Sequence, residues 1–327
     1  MKDKATDLAV KARQTAVSGG LKGLLNGLSR VGRLHPMARQ LREGVEVYRN
    51  IPYNEKGDTF HTLDIYKPEN AAGPLPVMVY MHGGGFVMLS KDTHWMMGYE
   101  FAHMGCLVVS VNYRLAPKYQ YPKAMHDIAE ALRWVKENVE SYGGDLSRLA
   151  YAGESAGANL ALTSGICHSW RQEQSFAQYI WDLNLEPKAL LPACGIIEVS
   201  NPNRYLDDSS IPVWMRDRIK KVCLSYLPDE SLPYDEISLA SPLRFIELAG
   251  APDRPMPPVF VPCGTSDPIV QDSVRLAAAL EEKGITVDHK LYDQGIHAFH
   301  AVVWHPLAAE CWDDHENFLK THLFPKD

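Results

Sequence analysis

Gly153-Glu154-Ser155-Ala156-Gly157 sets a serine between two glycines, a spacing suited to a nucleophile. Such a serine sits where a strand turns abruptly into a helix, which lifts its hydroxyl into the open. Flanking glycines let the two backbones approach closely in that strained turn. The neighbours fit: residues 148–152 read as a strand and 156–162 open a helix. A second glycine-rich run, His82-Gly83-Gly84-Gly85-Phe86, follows the apolar run 77–81. Acyl transfer builds negative charge on a carbonyl oxygen, and backbone N–H donors fixed around it contribute roughly 10²–10³ in rate per donor. The expected oxyanion-hole donors are Gly84 and Gly85, with Gly83 as a further candidate, together with Ala156. A phosphate loop is the competing use of such a run, but neither G-x-G-x-x-G nor a Lys-Ser/Thr ending is present.

A serine nucleophile needs a histidine base, held in one tautomer by a carboxylate. In a strand–turn–helix hydrolase the chain order is Ser, acid, His. The strand-like run 259–263 exits through Gly264-Thr265-Ser266-Asp267-Pro268, so Asp267 is the expected acid. Asp272 falls in the next helix, and Asp253 precedes the strand. The last strand-like run, 286–292, exits through Asp293-Gln294-Gly295-Ile296-His297-Ala298-Phe299, which makes His297 the expected base. His300 and His305 are its nearest competitors. Asp293 would have to fold back across its own loop to serve as partner.

Elements that could position these residues are legible along the chain. Strand-like runs occur at 45–53, 63–66, 77–81, 107–113, 149–152, 189–199, 258–263 and 286–292, with helix-like segments after most of them. The clearest helix is 122–142, with Ile128, Leu132 and Val135 on one face. Eight strands with crossover helices predict an α/β fold with one mostly parallel sheet covered on both faces. Residues 200–240 break the alternation, with a helix-like centre at 213–226, and read as an insertion above the carboxyl edge of the sheet. Residues 1–45 carry two amphipathic segments, with Ala5, Leu8, Ala9, Ala12 and Ala16 on one face and Leu21, Leu24, Leu25 and Leu28 on the next. The expected organisation is N-terminal helices over 1–45 and a catalytic domain over 46–327.

Composition narrows the classes. The 327 residues carry 33 Lys/Arg and 40 Asp/Glu, a net charge of −7, which argues against general nucleic-acid binding. Nine of the basic residues lie within 1–42 against two aspartates. That basic arm could dock on the body of the protein, on a partner, or on an anionic membrane surface; docking on the body is the preferred reading. The six cysteines, at 106, 167, 194, 223, 263 and 311, show no C-x-x-C pair and no metal-ligand spacing. They read as buried thiols in a reducing compartment. Residues 1–20 lack a continuous apolar stretch, and no run approaches the ~18 apolar residues that span a bilayer. Cytoplasm is the expected location, and neither metal nor organic cofactor is expected.

Taken together, His82–Phe86, Tyr113-Arg114-Leu115-Ala116-Pro117, Gly153–Gly157, Asp267-Pro268 and His297-Ala298-Phe299 resemble the hormone-sensitive-lipase-like carboxylesterases of the α/β-hydrolase superfamily. The resemblance runs from about residue 60 to the C-terminus. It implies a serine carboxylesterase acting on small-molecule esters, with Pro122 and Asp127 in a helical region bracing the site. It also implies a helical cap built from residues 1–45 and 200–240, and a homodimer. Phe86, Met88, Leu206, Trp214 and Phe299 are candidates for an apolar pocket beneath that cap, with ordinary packing as the alternative for each. No long exposed apolar lid is evident, so short to medium acyl chains are expected. The chain departs from many relatives in having Glu154 before the serine, Gly157-Ala158 after it, and Ala298 after the histidine, which bears on substrate preference more than on reaction class. The same machinery could serve a lipase, a lactonase, a deacetylase or an amidase. A non-catalytic receptor is disfavoured, because serine, acid and histidine are all present.

Overall fold

Runs rich in Val, Ile, Leu and Tyr suit a pleated surface packed on both faces, and here they form eight strands. A computed structural model describes residues 35–55, 57–206, 208–228 and 238–324, with Gly23, Gly27 and Ser29 besides. The strands are β1 (Val45–Pro52), β2 (Thr62–Pro68), β3 (Leu75–Met81), β4 (Leu107–Val111), β5 (Gly144–Glu154), β6 (Pro187–Ala193), β7 (Val259–Gly264) and β8 (Val287–Tyr292). They make one sheet in the order β1-β2-β4-β3-β5-β6-β7-β8. β2 runs antiparallel to β1 and to β4, and every other pairing is parallel. The expected eight-stranded, mostly parallel α/β sheet is therefore the fold observed.

Helices cover both faces. They are α1 (Pro36–Arg42), α2 (Trp95–His103), α3 (Lys123–Asn138), α4 (Ala156–Ser169), α5 (Ser175–Asp182), α6 (Val213–Tyr226), α7 (Pro242–Leu248), α8 (Val270–Glu282) and α9 (Pro306–His322). Successive strand residues point to opposite faces. Val77 and Val79 pack in a core with Ile128, Leu132 and Val135 of α3 and Leu160 of α4. Met78 and Tyr80 pack in a second core with Met97 and Phe101 of α2 and Trp312 and Leu319 of α9. Strands β3, β4 and β7 are buried along their whole length, which accounts for their unbroken apolar sequence.

The run 189–199 reads as one strand in sequence, yet β6 stops at Ala193. Cys194 turns the chain with φ +39°, and Ile196 N–H donates to Ser155 O at 3.2 Å. Residues 194–199, apolar but for Glu198, wrap beneath the serine turn and do not continue the ladder.

Helix α6 lies on the glycine loop that follows β3. Its Tyr226 ring stacks on Phe86 at 3.7 Å between centroids, and its Val222 is the nearest side chain to Gly85. Tyr121 N–H donates to Tyr226 O at 2.8 Å, tying the end of α6 to the body. The amphipathic segments expected within residues 1–28 lie outside the described residues, as do Asp207 and residues 229–237.

Candidate active site

The carboxyl ends of β3, β5, β7 and β8 converge on one place. Ser155 sits between β5 and α4 with φ +52° and ψ −114°, a region costly for any residue with a side chain. Neighbouring contacts hold it there: Ser155 N–H donates to Ala193 O at 3.0 Å. The turn closes so tightly that a Cβ on Gly157 would lie 1.9 Å from Met81 O, so only glycine fits.

Ser155 Oγ lies 3.0 Å from His297 Nε2, and His297 Nδ1 lies 2.8 Å from Asp267 Oδ2. Asp267 follows β7 and is buried; its other oxygen accepts the Ile269 N–H at 2.9 Å. His297 follows β8, with 36% of its side chain exposed. The two loops are joined by the Ser266 N–H, which donates to Gly295 O at 2.9 Å. Burial pulls the His297 pKa down, but the Asp267 carboxylate outweighs it and Glu154 adds to the pull, so the net shift is upward from 6.5.

The competing acids and histidines are engaged elsewhere. Asp272 is buried and accepts the N–H groups of Ile197 and Glu198 and the Tyr205 hydroxyl. Asp253 accepts the Arg171 N–H. Asp293 lies by Thr265 on the exposed side of its loop. His305 caps α9 by accepting the Leu307 N–H.

His82–Phe86 forms the opposite wall. Gly84 has φ +114°, and a Cβ there would meet Met88 O at 2.1 Å. The loop is braced from behind by Tyr113, whose ring stacks on His82 at 4.3 Å and whose hydroxyl donates to His82 O at 2.7 Å. Ala116 N–H donates to Phe86 O at 2.8 Å. Asp127 of α3 in turn holds Arg114, accepting its backbone N–H at 2.8 Å and its guanidinium at 2.6 Å. The Tyr113–Pro117 run, which offers no chemistry in sequence, is thus the scaffold of this loop. The Gly83 N–H lies 3.2 Å from Nε2 of His94, which also faces Glu154.

Glu154, beside the serine, is a site residue that the sequence marks only as a departure from relatives. Its Oε1 lies 2.9 Å from His94 Nε2, and its Oε2 lies 3.6 Å from His300 Nε2. Burial would raise its pKa, but the facing His94, His300 and His297 bring it down to about 2. It is therefore a buried carboxylate held ionised under the site.

The apolar candidates are placed unevenly. Phe86 is buried against Tyr226, and Phe299 is buried against Tyr292 at 5.1 Å; both rings brace loops. Met88 is buried with its sulfur 3.6 Å from Arg218 Nη2. Leu206 is half-buried, and its carbonyl accepts from Arg216. Trp214 lies on α6 with 54% exposure.

A family model described as alpha/beta hydrolase fold matches residues 78–301, more than half of the chain. The chain belongs to the α/β-hydrolase family, among its hormone-sensitive-lipase-like carboxylesterases. This α/β hydrolase is 31% identical over 258 residues to carboxylesterase NlhH of Mycobacterium tuberculosis, covering 76% of each chain. It is 28% identical to the versiconal hemiacetal acetate esterase of Dothistroma septosporum over 284 residues, covering 85% of this chain and 80% of that one. Among solved structures, the Pyrobaculum calidifontis esterase superposes with a TM-score of 0.73 at 25% identity, over 93% of this chain and 92% of its own.

Donor atoms of Cys194, Asp267 and His297 lie within 4.8 Å of one another, the spacing of a potential cation site. The 2.8 Å separation of His297 Nδ1 and Asp267 Oδ2 is that of an imidazole N–H donating to a carboxylate, which commits those two atoms to each other. All six cysteines are free and buried, as expected from their scatter. Among the described residues, no helix is long and apolar enough to cross a membrane.

Proposed function

We propose that this α/β hydrolase is a serine carboxylesterase for small-molecule esters of short to medium acyl chain. The observation that carries the reading is the unbroken run from Ser155 Oγ through His297 to Asp267, at 3.0 and 2.8 Å. Ser155 attacks the ester carbonyl while His297 Nε2 takes its proton, and Asp267 stabilises the imidazolium that results. The tetrahedral oxyanion is held by the N–H groups of Gly84, Gly85 and Ala156. His297 then protonates the leaving alcohol. Water, activated by the same imidazole, releases the acid from the acyl-enzyme. The names of the esterase relatives support ester hydrolysis. Met88, Leu206 and Trp214 line the approach, and α6, within the segment 200–240, covers it as part of a cap. The six free thiols fit a cytoplasmic location. A homodimer is the proposed assembly by likeness to the family.

Hydrolysis of 4-nitrophenyl esters from acetate to palmitate, in wild type and Ser155→Ala, tests the reading. The wild type should cleave the shorter esters, and the variant should lose up to ~10⁶ in turnover by analogy with other serine hydrolases. Equal activity in the two proteins would remove Ser155 from the mechanism.

A further inference from the structure

Helix α6 turns one stripe toward the glycine loop. Val222 sets its position: a Cβ on Gly85 would lie 2.9 Å from Val222 Cγ2. Residues four apart share a helix face, so Arg218 stands one turn earlier on the same stripe, and Trp214 one turn before that. The Arg218 side chain projects over the loop until its Nη2 rests 3.6 Å from Met88 Sδ. It is near enough to His297 to push the imidazole pKa down, against the pull of Asp267.

A guanidinium carries five N–H donors in a planar fork, and a thioether is a weak acceptor. Several other partly buried arginines are paired with acids, Arg114 with Asp127, Arg204 with Asp272, and Arg275 with Glu198 and Glu247, whereas Arg216 and Arg254 donate to the carbonyls of Leu206 and Trp181. Among the described residues, no carboxylate pairs with Arg218. Burial lowers its pKa. A half-buried cation without an anion carries a desolvation cost, and this one stands on α6 beside the glycine loop. A ligand carboxylate would complete the fork with two parallel charge-assisted hydrogen bonds.

We propose that Arg218 reads the substrate, and that the preferred substrates are esters bearing a carboxylate besides the scissile bond. The inference rests on the serine-esterase reading and adds its specificity. The carboxylate sits on α6's side of the site while the ester carbonyl lies between Ser155 and the amides of Gly84, Gly85 and Ala156. The neutral ester of the same shape leaves the guanidinium unpaired and pays for stripping water from it.

Two matched pairs of probes test this. One carries the charge on the acyl side: mono-4-nitrophenyl glutarate against its neutral methyl ester. The other carries it on the alcohol side: 4-acetoxybenzoate against methyl 4-acetoxybenzoate. In wild type, kcat/KM should favour the anion in at least one pair by about 10- to 100-fold, the range of a hydrogen bond between charged groups. That ratio should fall toward one in Arg218→Met and survive in part in Arg218→Lys. Equal rates in both wild-type pairs, or a preference that persists in Arg218→Met, overturns the proposal. The wild-type ratios decide it even where a variant folds poorly. Cleavage of 4-nitrophenyl acetate, compared between wild type and Ser155→Ala, tests the serine mechanism separately, so the failure of one reading is distinguishable from that of the other.

Discussion

Glu154 sets the charge of the site from beneath. It is ionised at any working pH, because three facing histidines bring its pKa to about 2 against the effect of burial. Its field favours the imidazolium form of His297, the form that develops as Ser155 attacks. The base acts only when neutral, so kcat/KM should fall as pH drops through a value above 6.5, the direction in which His297 is shifted. Glu154→Gln keeps the shape and removes the charge. The imidazolium is then less favoured, and the acid limb of the profile should move to lower pH. Screened by solvent at the exposed side of His297, the lost attraction is of order 1 kcal/mol, or about fivefold in kcat. A pH profile of kcat/KM for the two proteins checks both effects; a limb that stays in place or moves upward would count against this role. Sequence could name Ser155, Asp267 and His297 because their order and loop positions are imposed by the fold. It could not name Glu154 as a charge centre, because His94 and His300 reach it from loops distant in the chain.

The elements impose their own limits, and the junction of β3, β5 and α4 is the tightest. A Cβ on Gly157 would meet Met81 O at 1.9 Å and His82 O at 2.7 Å, both backbone atoms at the end of β3. Gly157→Ala therefore has to push the first turn of α4 away from β3, which carries the glycine loop. Overpacking of this kind costs about 1–3 kcal/mol, and thermal unfolding followed by far-ultraviolet circular dichroism should show a Tm several degrees lower. An unchanged Tm would mean that the turn has slack the geometry does not suggest. The same junction shows what could be read in advance. Eight strands and the helix at 213–226 were legible, because long apolar runs and a 3.6-residue period follow directly from burial. The end of β6 was not, since residues 194–199 stay buried and mostly apolar, Glu198 apart, while leaving the ladder. The purpose of Tyr113–Pro117 was hidden too, because a hydroxyl donated to His82 O leaves no periodic mark in sequence.

Across the whole molecule, acid stability should be governed by buried histidines. His82, His168 and His315 are buried, and burial lowers each pKa to about 3. In the unfolded chain each returns to about 6.5. Above that pH both states are neutral at these rings and stability does not depend on them. Below it the unfolded chain takes up protons that the native state refuses, so stability must fall as pH falls, down to the folded values near 3. Each ring contributes up to about 1.4 kcal/mol per pH unit, and the three together about 4. A domain of ordinary stability holds about 5–15 kcal/mol, so unfolding is expected within roughly one and a half to four units below 6.5. Glu154 works in a lower window: its depressed pKa gives stability above the unfolded value of about 4.3, lost as pH falls toward 2. Tm measured by calorimetry from pH 8 to 4 should be flat at first and then decline progressively below about 6.5. His315→Gln should make the decline shallower, since one of the three rings no longer draws a proton on unfolding. A Tm constant from pH 7 to 5 would show that these rings titrate in the folded protein much as they do in water. The two acid effects also separate in practice. Loss of activity through protonation of His297 reverses when the pH is restored, whereas loss through unfolding appears together with a falling Tm.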